Sequence, residues 1–132
     1  MATDTIESNL PPKERLTRWL ARLYRHRLTT TTGGNLSFID DDGILYITPS
    51  GGDKAEVPAS DIVSCRPESD YFEGPKAPSM ELHLHKAAYA VRPDCRAVLH
   101  AHSMALIAFS LGVKESVMDH CFQNTHSGVP GQ

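Results

Sequence analysis

The sequence predicts an α/β domain. Three observations carry that reading: apolar residues recurring at 3- and 4-residue steps in separate windows, two β-type runs around an Asp–Gly turn, and an apolar run that ends in two histidines. A chain of 132 residues suits one domain, since domains usually run about 50 to 250 residues. Hydrophobic residues make up 40%, charged residues 22%, and the net charge is −3. That balance excludes a disordered chain and the basic excess of a nucleic-acid binder. No apolar run approaches the roughly 18 residues of a membrane span, and the N-terminus MATDTIESNLPP is too polar and acidic for a signal peptide. A cytoplasmic protein with neither a membrane nor a nucleic-acid partner is expected. Cys65, Cys95 and Cys121 are odd in number and contain no CxxC pair, so three reduced thiols are expected.

Residues 1–11 read as a flexible N-terminal arm and 12–132 as a single domain. Pro11 and Pro12 suit the first turn of a helix, where a missing N–H costs nothing. Leu16, Trp19, Leu20, Leu23 and Tyr24 then form one buried stripe, with Arg15, Arg18, Arg22 and Arg25 on other faces. The β-branched run Thr29 to Thr32 stops the helix, Gly33 and Gly34 free the backbone, and a strand begins at Asn35. Asp40 to Gly43 is turn chemistry between Asn35–Ile39 and Ile44–Thr48, which predicts a hairpin; it lacks the spaced ligands of a calcium loop. A short turn and brief strand follow over 60–65, then a Pro- and Gly-bearing loop over 66–78. Ser79 is the expected N-cap of a second helix, with Leu82, Leu84, His85, Ala88 and Tyr89 on its buried side and Arg92–Pro93 at its end. The run Arg96 to His102 is the next strand, and 104–111 an apolar helix closed by Gly112.

Side chains two apart on a strand share a face, so His100 and His102 can project together toward one metal ion. His83 and His85 have the same spacing on a helix, where two residues are about 200° of rotation. They cannot share a metal; His85 is expected to be a packed, hydrogen-bonded core histidine and His83 exposed. Glu81 opens that helix, where the dipole favours its ionised form and apolar surroundings would raise its pKa, a candidate base near a cation. The loop Pro49 to Lys54 can bring backbone N–H groups, a hydroxyl and a lysine to an oxyanion.

Five phrases, Gly34–Ser37, Ile47–Gly51, Pro78–Glu81 with Leu84, His85 and Tyr89, Arg92–Asp94, and Ala97–Ser103, stand in the order and spacing of the class II aldolase/adducin family. The chain resembles that family, of the L-fuculose-phosphate aldolase and L-ribulose-5-phosphate 4-epimerase type, from about residue 12 to about residue 112. The resemblance implies a three-layer α/β/α fold with a central mixed, mainly antiparallel sheet. It makes His100 and His102 two of three zinc histidines (zinc or another divalent cation), Glu81 the catalytic carboxylate, and Asn35, Ser50, Gly51 and Ser79 the holders of the substrate phosphate. The implied function is a zinc-dependent lyase, an aldolase of a small phosphorylated keto sugar working through a metal-stabilised enediolate. Epimerase, dehydratase and decarboxylase reactions of the same family are alternatives. So is a non-catalytic interaction module of the adducin-head kind. A homo-oligomer, a tetramer in much of the family, is the implied assembly.

Two departures stand out. Met80 occupies a place where aldolases of this family carry a second phosphate serine, and a thioether donates no hydrogen bond. The family's third zinc histidine and its tyrosine acid lie beyond Gln132, while His120 and His126 fall outside its register. The chain is therefore expected to be C-terminally shortened, with impaired catalysis.

Overall fold

The computed structural model describes residues 9–112. Those up to His102 form one compact unit and those from Ser103 another.

In the first unit, helix α1 (Pro12–Arg25) starts on a proline, as the sequence predicts. Leu16, Leu20 and Leu23 are its buried stripe. Trp19 falls outside it, 42% exposed under the Arg22 guanidinium 5.1 Å from its ring. The helix stops before the threonine run rather than in it. Arg27 takes a positive φ of 57°, its N–H donates to Tyr24 O, and the Leu28 N–H donates to Leu23 O. This is the paired closing pattern usually given to glycine.

Strands β1 (Asn35–Ile39), β2 (Leu45–Ile47), β3 (Val63–Cys65), β4 (Phe72–Glu73) and β5 (Ala97–His100) form a sheet in the order β4-β3-β2-β1-β5, each neighbouring pair antiparallel. The β1–β2 hairpin closes on Asp40, whose carboxylate accepts the N–H groups of Asp42 and Ile44. A 3-10 turn, Ala59–Asp61, leads into β3. Two-residue β4 lies inside the stretch expected to be loop, paired to Ser64 and Cys65.

Alternation along β1 splits the core in two. Leu36 and Phe38 face α1, packing with Leu16, Leu20, Leu23, Val57, Ile62 and Tyr46. Ile39 faces the other way, toward Leu45, Ile47, Val63 and Cys65 on the sheet and Leu82 and Tyr89 on helix α2 (Leu82–Val91). The result is helix on sheet on helix, the three-layer α/β/α arrangement expected. On α2 the buried residues are Leu82, His85 and Tyr89, while Leu84 is 59% exposed and leaves the expected stripe.

Helix α3 (Met104–Gly112) belongs to the second unit; its apolar side chains are exposed, and Ile107 N–H donates to Ser103 O. Among the described residues no helix is long and apolar enough to cross a membrane. Cys65 and Cys95 are free thiols, as expected. Cys121, His120 and His126 lie outside the described residues.

Candidate functional site

The end of β5 is brought against the loop before β1 by two glycines. Asn35 on β1 stands opposite His100 on β5. A side chain on Gly34, whose φ is +76°, would sit 2.8 Å from His100 O and 2.7 Å from Thr29 Oγ1; one on Gly33 would sit 2.9 Å from His102 Nδ1. Either contact is closer than atoms can pack, so glycine is required for both histidines to lie where they do.

His102 is not on the strand. β5 ends at His100, and the His102 N–H instead donates to Leu28 O at 3.0 Å, beyond the helix end described above. Shared strand facing therefore does not bring the pair together, as the spacing had suggested. The imidazoles still meet, with ring centroids 4.7 Å apart and planes tilted by 51°.

Glu81 also shifts from its expected place. It occupies the N-cap position of α2, with Ser79 two residues before it, accepting the Glu81 N–H on its Oγ at 3.3 Å. The Glu81 carboxylate contacts His100 Nδ1 and accepts from Asn35 Nδ2 at 2.8 Å. Hydrogen bonding from Asn35, aided by His100, holds its carboxyl below the usual range against the opposing effect of desolvation. Of the two tendencies the sequence left open, the one favouring the ionised form prevails.

Those contacts fix a longer chain of donors and acceptors. Because the ionised carboxylate only accepts, the Asn35 amide nitrogen donates to it, and Asn35 Oδ1 must accept from His85 Nε2. His85 Nδ1 is then an acceptor, taking the Ser37 hydroxyl proton at 2.6 Å, and Ser37 Oγ accepts from Tyr89 OH at 2.7 Å. His85 is fully buried, and burial lowers its pKa, so the neutral Nε2–H tautomer this chain requires is the favoured one. The expected core histidine is thus the support of Asn35, a link across 50 residues that helical periodicity does not reveal. His83 is exposed, as expected.

The opposite wall comes from the Ser50 loop. An antiparallel bridge joins Pro49 and Pro78, Ser50 N–H donates to Ala77 O at 2.9 Å, and Ser79 N–H donates to Thr48 O at 3.0 Å. Gly51 and Gly52 follow with φ of +71° and +78°. Asn35, Ser50, Gly51, Ser79, Glu81 and His102 thereby line one cleft of about 170 Å³, which His100 joins through Glu81. Pockets for drug-sized molecules run about 300 to 1,000 Å³, so this one suits a small polar group. Met80 is 88% exposed at its rim. Lys54, in the loop that the sequence offers to an oxyanion, is a wall residue of the same cleft.

Two imidazoles and a carboxylate are a donor set that zinc takes. Among the described residues, no three such side chains are already gathered around one point. By residue type the described donors fit a divalent cation, though they are not gathered around one point.

Known proteins share this arrangement of sequence and fold. A 3-oxo-tetronate 4-phosphate decarboxylase of Pectobacterium atrosepticum is 34% identical over 90 residues, 68% of this chain and 41% of that protein. A 5-deoxy-D-ribulose 1-phosphate aldolase of Bacillus thuringiensis serovar kurstaki is 33% identical over 92 residues, 69% of this chain and 43% of that one. Among solved structures, an L-fuculose 1-phosphate aldolase superposes with a TM-score of 0.65 at 38% identity, covering 70% of this chain and 44% of its own. The chain spans less than half the length of these relatives. The profile of the Class II Aldolase and Adducin N-terminal domain matches residues 14–130, and the chain belongs to that family.

Proposed function

We propose that this chain carries the carboxylate, two metal histidines and the phosphate cleft of a zinc-dependent lyase acting on a small phosphorylated keto sugar. The observation that carries the reading is the contact of Glu81 with both Asn35 and His100 beside the Ser50–Ser79 cleft. His100 and His102 would hold the cation, with Glu81 close by. When bound, such an ion withdraws electron density from the oxygens it chelates and so stabilises negative charge developing on the substrate.

The residues of the chain supply the rest. Asn35 fixes the Glu81 carboxylate in its ionised form, leaving it able to accept a proton from a substrate carbon or hydroxyl. The Ser79 hydroxyl accepts the Glu81 N–H and keeps its own proton to donate toward a phosphate oxygen. Ser50 and the exposed backbone of Gly51 complete that wall. Binding energy from the phosphate positions the reacting carbons, a remote contribution the small cleft is suited to make. By family resemblance the working protein is a cytoplasmic homo-oligomer. Aldol cleavage is the preferred reaction, with decarboxylation, dehydration and 4-epimerisation drawing on the same groups.

Zinc titration by calorimetry tests the metal assignment. Micromolar or tighter binding that His100→Ala and His102→Ala each abolish is expected; binding that survives both substitutions overturns it. Product analysis then separates the reactions: dihydroxyacetone phosphate from L-fuculose 1-phosphate marks an aldolase, and xylulose 5-phosphate from ribulose 5-phosphate an epimerase. Absence of both zinc binding and turnover across such a panel leaves the metal-free interaction-module reading in its place.

A further inference from the structure

Lys54 places a charge in the interior without an opposite charge to meet it among the described residues. The residue is 3% exposed. Its Nζ donates to Gly51 O at 3.1 Å and reaches Pro49 O at 3.5 Å, while its backbone N–H donates to Thr31 O at 2.8 Å. It thus fastens the loop before β1 to the loop after β2, the two sides of the cleft. Among the described residues the carboxylates in ion pairs are engaged by Lys76, Arg92, Arg96 and His100, none by Lys54. Desolvation is the force acting on its ammonium, lowering its pKa.

Carbonyl dipoles offset part of the desolvation of a cation but do not neutralise it, and an unpaired interior charge is costly to a fold. An apolar side chain of similar length would fill the same space without that cost. Packing therefore accounts for the length of this residue but not for its charge. The ammonium has three N–H groups, and carbonyl oxygens take two. Ser50, Gly51 and Ser79 share its cleft, and the one carboxylate on that cleft, Glu81, is already held by Asn35 and His100.

We propose that Lys54 is the charge-bearing anchor of the anion cleft, supplying the positive charge that a bound phosphoryl group meets there. The ligand class is a phosphate monoester or free inorganic phosphate, whose negative charge would give the interior ammonium its counter-charge. This rests on the phosphate half of the function proposed above and is independent of the metal half. Lys54 is then what lets the cleft retain phosphate despite Met80 standing where a second hydroxyl would be.

Thermal unfolding of the full 132-residue chain, in inorganic phosphate against chloride at matched ionic strength, tests the assignment. The wild type is expected to melt higher as phosphate is added, in a saturable way, because a ligand bound to the folded state alone stabilises it. Lys54→Met should melt at the same or a higher temperature in chloride, bind phosphate at least tenfold more weakly, and lose the phosphate-dependent rise. Lys54→Arg, which keeps the charge, should retain part of the rise. Phosphorus NMR line broadening well below the melting temperature gives the same comparison without relying on unfolding. An equal phosphate effect in wild type and Lys54→Met overturns the proposal and leaves the lysine a loop clamp; a wild type indifferent to phosphate overturns it too. Zinc isotherms read the metal assignment separately, so either half can fail alone.

Discussion

The two faces of the sheet are built from different materials. Toward α1 the buried cluster is aliphatic and aromatic, with Leu16, Leu20 and Leu23 closing over Leu36, Val57 and Ile62. Toward α2 the layer is apolar around Ile47, Val63 and Leu82, then turns polar where Tyr89, Ser37, His85 and Asn35 run in a buried hydrogen-bonded line to Glu81. The first face can tolerate exchange among side chains of similar volume, because burial is non-directional. The second cannot, since each member has a single donor or acceptor role set by its neighbour. One face holds the fold together, and the other spends part of its interior on aiming a carboxylate.

Breaking the α1 face should show the largest effect. Leu20 is fully buried, and Leu20→Ala should lower stability by about 2–5 kcal/mol, read from the urea midpoint, while a sample held well below that midpoint keeps its zinc isotherm. On the polar face, Tyr89→Phe removes one hydroxyl and leaves Ser37 Oγ without that donor. It should cost about 1 kcal/mol by the same measurement. A zinc affinity reduced more by Tyr89→Phe than by Leu20→Ala would place the polar line in the site; the reverse order would remove the distinction between the faces.

The smallest effect is a change of slope. His85 titrates below its usual range when folded, because burial disfavours the imidazolium. The unfolded chain therefore takes up its proton first on acidification. Stability from this group is complete above the ordinary histidine pKa of about 6.5 and falls as pH drops from there toward the folded pKa. Urea midpoints measured from pH 7 to pH 5 should decline in the wild type and decline less steeply in His85→Gln. Identical slopes would show that His85 is not held neutral.

Much of the framework was legible because it rests on local chemistry. The stripe of leucines in α1, the Asp40 turn and the glycines before Asn35 each carry a short-range physical signal. What escaped was decided at long range. β4 has two residues and no alternation to read. Trp19 and Leu84 fit the helical period, yet they are left 42% and 59% exposed. Arg27 adopts a conformation that its residue type does not announce. In the site, His100 and Glu81 were singled out by histidine spacing and by a place at a helix start and were joined by resemblance to a family, whereas the tie from His85 to Asn35 and the burial of Lys54 depend on which loops the fold brings face to face.

The two histidines hang from different supports. His100 is carried by the β1–β5 ladder, while His102 is tethered through its backbone to the turn that ends α1. Segments of a protein open independently of one another, helix ends more readily than paired strands. Fraying at Leu28 would therefore release one ring while the sheet kept the other, without global unfolding. Were the pair to hold the cation proposed above, it would act as a jaw with one fixed and one hinged side, its grip set by the weaker anchorage at the end of a helix.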